Sequence, residues 1–205
     1  MLVLGVTGQS GAGKGEFCSL MREKGIECLD TDKIAREVVA PGSECLCELV
    51  SHFGSDILLP DGSMDRKKVA SIVFSDKKEL EFLTKTTHKY IIEKIKEWLF
   101  NRELCGDKIV IIDAPQLFDA GADFYCNFIL AVLADKEVRI ERIKLRDGIN
   151  DVQARARIES QKNDEYFKER CDFTVYNNGS LEKLRKSADR IFAQLIAKKE
   201  YFEED

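Results

Sequence analysis

The chain has 205 residues, 44% hydrophobic and 34% charged, with a formal net charge of −5. That is ample apolar content for a core of ordinary domain size, and the acidic balance gives no support for a nucleic-acid binder that relies on a broadly basic surface. No apolar run approaches a membrane span, and residues 1–6 carry neither the basic nor the apolar region of a secretory leader, so a cytoplasmic protein without membrane attachment is expected.

The first element is a short apolar strand, Leu2–Val6, followed at once by Thr7-Gly8-Gln9-Ser10-Gly11-Ala12-Gly13-Lys14-Gly15. Gly8, Gly13 and Lys14 stand at the spacing G-x-x-x-x-G-K of a phosphate-binding P-loop, in the order strand, glycine-rich turn, helix that the motif needs. Glycines let backbone N–H groups converge on phosphate oxygens, the helix N-terminus adds a favourable dipole, and Lys14 reaches the outer phosphates. The expected ATP contacts are therefore Gly8, Gly11, Ala12, Gly13, Lys14, Gly15 and Glu16. The motif's last position normally carries a Ser or Thr hydroxyl for Mg²⁺; here it is Gly15. A helix is expected over Glu16–Lys24.

A second strand, Glu27–Leu29, runs into Asp30-Thr31-Asp32, which puts both carboxylates at a strand C-terminus beside the P-loop, the ligand-binding edge of an open α/β sheet. Asp32 could accept a proton from an attacking hydroxyl, ligate Mg²⁺, or do both. It could equally cap the helix Lys33–Val39.

A long helical stretch follows: Asp32–Val39 before Pro41-Gly42, then Glu44–Phe53, Arg66–Phe74 and Lys77–Asn101, with a turn at Pro60-Asp61-Gly62. Such an insertion commonly supplies a second wall for a substrate cleft. The third strand, Ile109–Ile112, ends in Asp113 and has the form of a Walker-B strand, whose acid holds a metal directly or through water. A fourth strand, Phe128–Val132, precedes a charge-rich segment in which Arg139, Arg142 and Arg146 recur at helical spacing. They suit either neutralisation of a transferring phosphoryl group or a solvated helix face paired with Glu137, Glu141 and Asp147. A fifth strand, Phe173–Val175, leads to Asn177-Asn178-Gly179, read as a turn, with Ser180 capping a closing helix over Leu181–Ala197.

Five short strands, continuously apolar or nearly so, alternating with helices predict an α/β fold, a parallel sheet with helices on both faces. The seven cysteines have no metal or redox spacing and read as reduced thiols, several of them buried. His52 and His88 lack metal-ligand partners at suitable spacing.

Taken in order, these residues resemble the dephospho-coenzyme A kinase family over nearly the whole chain. The segment Asp30-Thr31-Asp32-Lys33-Ile34-Ala35-Arg36-Glu37-Val38-Val39 matches its D-x-D-x-x-A-R-E-V-V pattern, with Pro41-Gly42 following. The residues around His88 are similar to L-x-x-x-x-H-P, with Lys89 for the proline, and Ile112–Asp119 to D-x-P-L-L-F-E, with Gln116 and Asp119 substituted. Arg142-x-x-x-Arg146-Asp147, Ala156-Arg157-Ile158-x-x-Gln161, Cys171-Asp172 and Asn177-x-Gly179 continue the match.

The resemblance implies a P-loop kinase that uses ATP with Mg²⁺ to phosphorylate the 3′-hydroxyl of dephospho-coenzyme A, without an obligatory protein partner. It implies a core (1–31, 105–138 and 171–205), a helical substrate-binding insertion (32–104) and a lid (139–170). Asp32 carries over as the base; as metal ligands, Asp32 and Asp113 rest on their places at the strand ends. Lys14, Arg142 and Arg146 carry over as phosphate and transition-state groups, Asn177 on the ATP side, and Arg36 and His88 on the substrate side. Gly15 leaves open a non-catalytic nucleotide or coenzyme A binder, and a kinase for another small hydroxyl substrate is the further alternative.

Overall fold

The computed structural model describes the backbone of residues 1–203 and the side chains through Lys199. The chain divides into two compact units, Met1–Leu29 with Arg102–Asp205, and Asp30–Asn101. The segment 139–170 belongs to the first of these.

The first unit is built on a five-stranded sheet in the order β2-β3-β1-β4-β5. Its strands are β1 (Leu2–Gly8), β2 (Glu27–Asp30), β3 (Ile109–Asp113), β4 (Phe128–Leu133) and β5 (Phe173–Tyr176). β1 lies between β3 and β4 and pairs parallel with both, and β4 pairs parallel with β5. Each strand runs one or two residues past its expected end, because pairing continues into the residues that face the site: Val6 stands opposite Asp113, and Gly8 opposite Val132.

Side chains alternate faces along the strands, as the pleat requires. Leu130 and Val132 enter one core with Leu4, Val6, Ile111, Phe17, Met21, Leu184 and Ile191, under α1 (Lys14–Arg22) and α9 (Leu181–Glu203). Ala131 and Leu133 face the other way, onto Phe118 and Phe167. Burying a side chain such as Leu4 or Phe17 in this way stabilises by roughly 1.5–3 kcal/mol each. The remaining helices of this unit are α6 (Lys136–Asp147), α7 (Asp151–Glu159) and α8 (Asp164–Lys168). Asn150 and Gln153 form a reciprocal capping box at the start of α7.

The second unit holds α2 (Thr31–Glu37), α3 (Glu44–Phe53), α4 (Arg66–Ser75) and α5 (Lys77–Leu104) as far as Asn101. Ser43 and Asp65 cap α3 and α4 with side-chain oxygens. The turn expected at Pro60-Asp61-Gly62 closes between Leu58 and Met64, with the Leu59 N–H donating to the Ser63 carbonyl at 2.8 Å. Leu49, Ile57 and Ile95 are fully buried. α5 passes through Lys89 without a break, and Lys89 donates to Glu48 on α3 at 3.1 Å. The Tyr90 hydroxyl donates to the same carboxylate at 2.9 Å.

Candidate active site

The glycine-rich turn leaves β1 and enters α1 at Lys14. Geometry requires glycine at several of its positions, Gly8 and Gly13 among them. Gly8 has φ +145° and lies so close to the Val132 backbone that no β-carbon fits. Gly13 has φ +93° at the N-cap of α1, where a β-carbon would meet the Asn177 amide. As at any helix start, the first N–H groups of α1 have no preceding turn to accept them, and the glycines let an anion approach them closely.

Lys14 and Asp113, taken separately from two motifs, are brought together as an ion pair. Asp113 ends β3 and is only 6% exposed. Cys18, one turn beyond Lys14, is fully buried; burial pushes its thiol pKa well above the ordinary value, and the Asp113 charge adds to the rise.

The turn's carbonyl groups are held from behind. Arg142 on α6 donates through Nη1 to the Gly11 and Ala12 oxygens at 3.3 and 3.4 Å. Asn177, 7% exposed, donates through Nδ2 to the Ala12 oxygen at 2.8 Å. The turn expected at Asn177 is thus anchored inward, and its backbone N–H donates to Leu133 at 2.8 Å. Thr7 closes the back of the loop by donating to the Pro115 carbonyl at 3.2 Å.

The arginine series divides into two groups. Arg139 is buried and reaches the Ser10 carbonyl at 3.0 Å, with Arg142 beside it on the loop. Arg146 instead pairs with Asp147 at 2.7 Å, and Arg157 pairs with the same carboxylate. These two guanidiniums, Arg146 first, hold the Asp147 pKa down at about 2. Arg155 pairs with Asp151 and Glu137 at 2.6 and 2.9 Å. Sequence reasoning noted Arg139 in the helical arginine series and Gln161 in a motif but missed that both grip Ser10, because those contacts span more than a hundred residues and no local pattern marks them.

Asp32, Arg36 and His88 belong to the second unit. The cap of α2 is Asp30, whose carboxylate accepts from the Asp32 and Lys33 N–H groups at 2.9 and 3.1 Å. This corrects the capping role considered for Asp32, which occupies the first turn of α2 with an exposed side chain. Arg36 is exposed in the last turn of α2, and His88 is half-buried on α5. A cleft of about 440 Å³ in this unit is lined by Glu37, Glu44, Tyr90, Glu93, Lys94 and Glu97 among others. Four carboxylates against one ammonium make it unsuited to phosphate. His52 stacks on Phe82 with centroids 3.7 Å apart and contacts Glu79 at 2.6 Å, a structural arrangement.

Among the described residues no group of three or more His, Cys, Asp or Glu could hold a metal ion unaided. An Asp at a strand end beside a phosphate site is nonetheless the donor set Mg²⁺ uses when it arrives with a nucleotide, since that ion takes one or two carboxylates, phosphate oxygens and several waters. Gly15 offers no hydroxyl, and a β-carbon built there meets nothing within 4 Å, which leaves open space at that position. No helix among the described residues is long and apolar enough to cross a membrane.

The sequence model of the family described as dephospho-CoA kinase matches residues 2–183. The dephospho-CoA kinase of Corynebacterium efficiens is 35% identical over 198 residues, covering 97% of this chain and 99% of its own. Among solved structures, a Thermus thermophilus protein superposes with a TM-score of 0.80 at 28% identity, covering 95% of this chain and 97% of its own. The dephospho-CoA kinase from Campylobacter jejuni gives 0.63 at 24% identity, with coverages of 94% and 96%, a likeness of fold.

Proposed function

This chain belongs to the dephospho-CoA kinase family, and from that premise we propose how its residues divide the transfer of the terminal phosphoryl group of ATP to the 3′-hydroxyl of dephospho-coenzyme A. Lys14 and the amides of Gly11, Gly13, Gly15 and Glu16 hold the phosphates, with Gly8 and Ala12 shaping the turn. Lys14 meets charge that develops on the transferring group. Arg142, already at the loop, and Arg146, on release from Asp147, complete that neutralisation. Asp32 takes the proton of the attacking hydroxyl, and Arg36 and His88 bind the acceptor's side. Asn177 stays on the ATP side as the anchor of the Ala12 carbonyl.

Mg²⁺ bound with ATP supplies charge neutralisation on the phosphates. Asp113, and Asp32 beside its role as base, are the carboxylates that would hold it, directly or through water. The seven free thiols suit a reducing compartment, and we assign the protein to the cytoplasm.

The observation that carries this reading is the meeting of Lys14 with Asp113 at a turn whose carbonyls are tied back by Arg142 and Asn177. The test is release of ADP by the purified chain given ATP, Mg²⁺ and dephospho-coenzyme A, beside a panel of other small hydroxyl compounds. Turnover with dephospho-coenzyme A alone supports the assignment. Turnover only with another acceptor, or tight nucleotide binding with no turnover at all, overturns it.

A further inference from the structure

Ser10 sits inside the phosphate-binding turn, yet both polar groups of its backbone are taken by side chains from the helical segment after β4. Its carbonyl accepts from Arg139 Nε at 3.0 Å, and its N–H donates to Gln161 Oε1 at 3.1 Å. Arg139 Nη2 closes the ring by donating to that same Gln161 oxygen at 2.7 Å. Arg139 is only 4% exposed.

The grip extends one residue further. Gln9 Nε2 donates to the Lys162 carbonyl at 3.2 Å and to Asp164 Oδ1 at 2.9 Å, and Tyr176 holds the other Asp164 oxygen at 3.0 Å. No β-carbon fits on Gly11 against the Arg139 backbone, so the turn and α6 are in direct contact.

We infer that Arg139 and Gln161 are positioning residues which set the shape of the phosphate-binding turn and so tie nucleotide affinity to the α6–α8 segment. The inference rests on the reading of the turn as the ATP site. Fixing the carbonyl and the N–H of one residue restrains the peptide on each side of it, and with them the direction of the neighbouring amides. The Ser10 N–H is directed at Gln161 and the Ala12 N–H at the Gln9 carbonyl, so the phosphates are left to the amides of Gly11, Gly13, Gly15 and Glu16. A guanidinium fork is needed because one side chain must reach two acceptors at once, which an ammonium at that distance cannot do in fixed geometry. Burial raises the cost of losing either partner, since the other is then left without its hydrogen bond.

The experiment uses the full chain and two readouts: calorimetric titration with a non-hydrolysable ATP analogue, and steady-state ADP release. Gln161→Met keeps the length and removes the acceptor; it should weaken analogue binding and lower kcat by roughly tenfold each, leaving the KM for dephospho-coenzyme A unchanged. Gln161→Glu restores the acceptor and should stay within about threefold of the parent on both. Arg139→Met should match Gln161→Met, and the double variant should be no worse than either single one, because both act through Ser10. Unchanged analogue binding in Gln161→Met, failure of Gln161→Glu to rescue, or additive losses in the double variant would each overturn the inference. Should Gln161→Met not fold, Gln161→Glu against Arg139→Lys decides: near-parent binding in the first and tenfold loss in the second supports the ring, and equal behaviour rejects it. Lys14→Ala runs alongside; if it binds the analogue as the parent does, the ATP-site reading itself has failed.

Discussion

The Lys14 ammonium is paired with the Asp113 carboxylate across the mouth of the phosphate-binding turn. On the proposed reading these two motif residues serve the nucleotide, and binding would exchange this pair for phosphate on one side and hydrated cation on the other. The pair is largely buried, with side-chain exposures of 16% and 8%. A buried charge left alone costs far more than a paired one, so each group holds the other in place at the end of its element.

Removing the cation should break the chemistry more than the fold. Lys14→Ala should lower kcat/KM by several orders of magnitude if, as proposed, its charge meets the transferring group. Because the substitution leaves Asp113 buried with Cys18 beside it, a modest fall in melting temperature should accompany the loss. Asp113→Asn should bind ATP in the absence of Mg²⁺ at least as tightly as the parent, because Lys14 is no longer held. Calorimetry with and without Mg²⁺ checks this; weaker Mg²⁺-free binding would show that the pair does not compete with phosphate.

The two acids at the start of α2 should separate cleanly. Asp30 accepts from the Asp32 and Lys33 N–H groups, while the Asp32 side chain is exposed and outside the cap. Asp30→Ala should therefore cost about 1 kcal/mol of stability. Asp32→Asn should leave the melting temperature unchanged and lower kcat by two or more orders of magnitude if it takes the hydroxyl proton. An Asp32→Asn protein with parental turnover would remove Asp32 from the mechanism.

Much of this architecture was legible from residue order. Five apolar runs gave the five strands, and the G-x-x-x-x-G-K spacing gave the turn, since both depend on neighbours close in sequence. What was not legible depends on partners far away. Nothing local distinguishes Arg139 and Arg142, which reach the loop, from Arg146, which binds Asp147; all three share one helix and one spacing. Asp30 and Asp32 were likewise equivalent by composition, and only the backbone path at Asp30, extended with φ −90° and ψ 106°, makes it the cap. Lys89, unremarkable by local pattern, lies on an unbroken helix and pairs with Glu48 on α3.

Acid should reveal the Asp147 cluster. Its folded pKa of about 2 lies below the ordinary carboxylate value, through Arg146 first and Arg157 second. A depressed acid contributes stability that is complete above the unfolded value, near 4, and is lost as pH falls through the folded value. The melting-temperature difference between the parent and Asp147→Asn should thus be constant from pH 7 to about 5 and shrink below about 4. A difference that stays constant down to pH 3 would mean that the two arginines do not hold the carboxylate in solution.

Gly15 is where the chain departs from its own motif, and the structure makes the reversal testable. A β-carbon there meets nothing within 4 Å, and α1 begins at Lys14, so a serine in helical conformation fits without displacing a neighbour. Replacing glycine near a helix start also removes backbone freedom from the unfolded chain, worth about 0.4–1 kcal/mol. Gly15→Ser should therefore be slightly more stable than the parent. If a water fills the hydroxyl's place on Mg²⁺, the serine should lower the Mg²⁺ concentration for half-maximal ADP release and raise turnover by roughly one decade, the worth of one charge-assisted contact. The two effects are independent: higher stability with an unchanged Mg²⁺ dependence would show that the hydroxyl has no place in the metal's shell here.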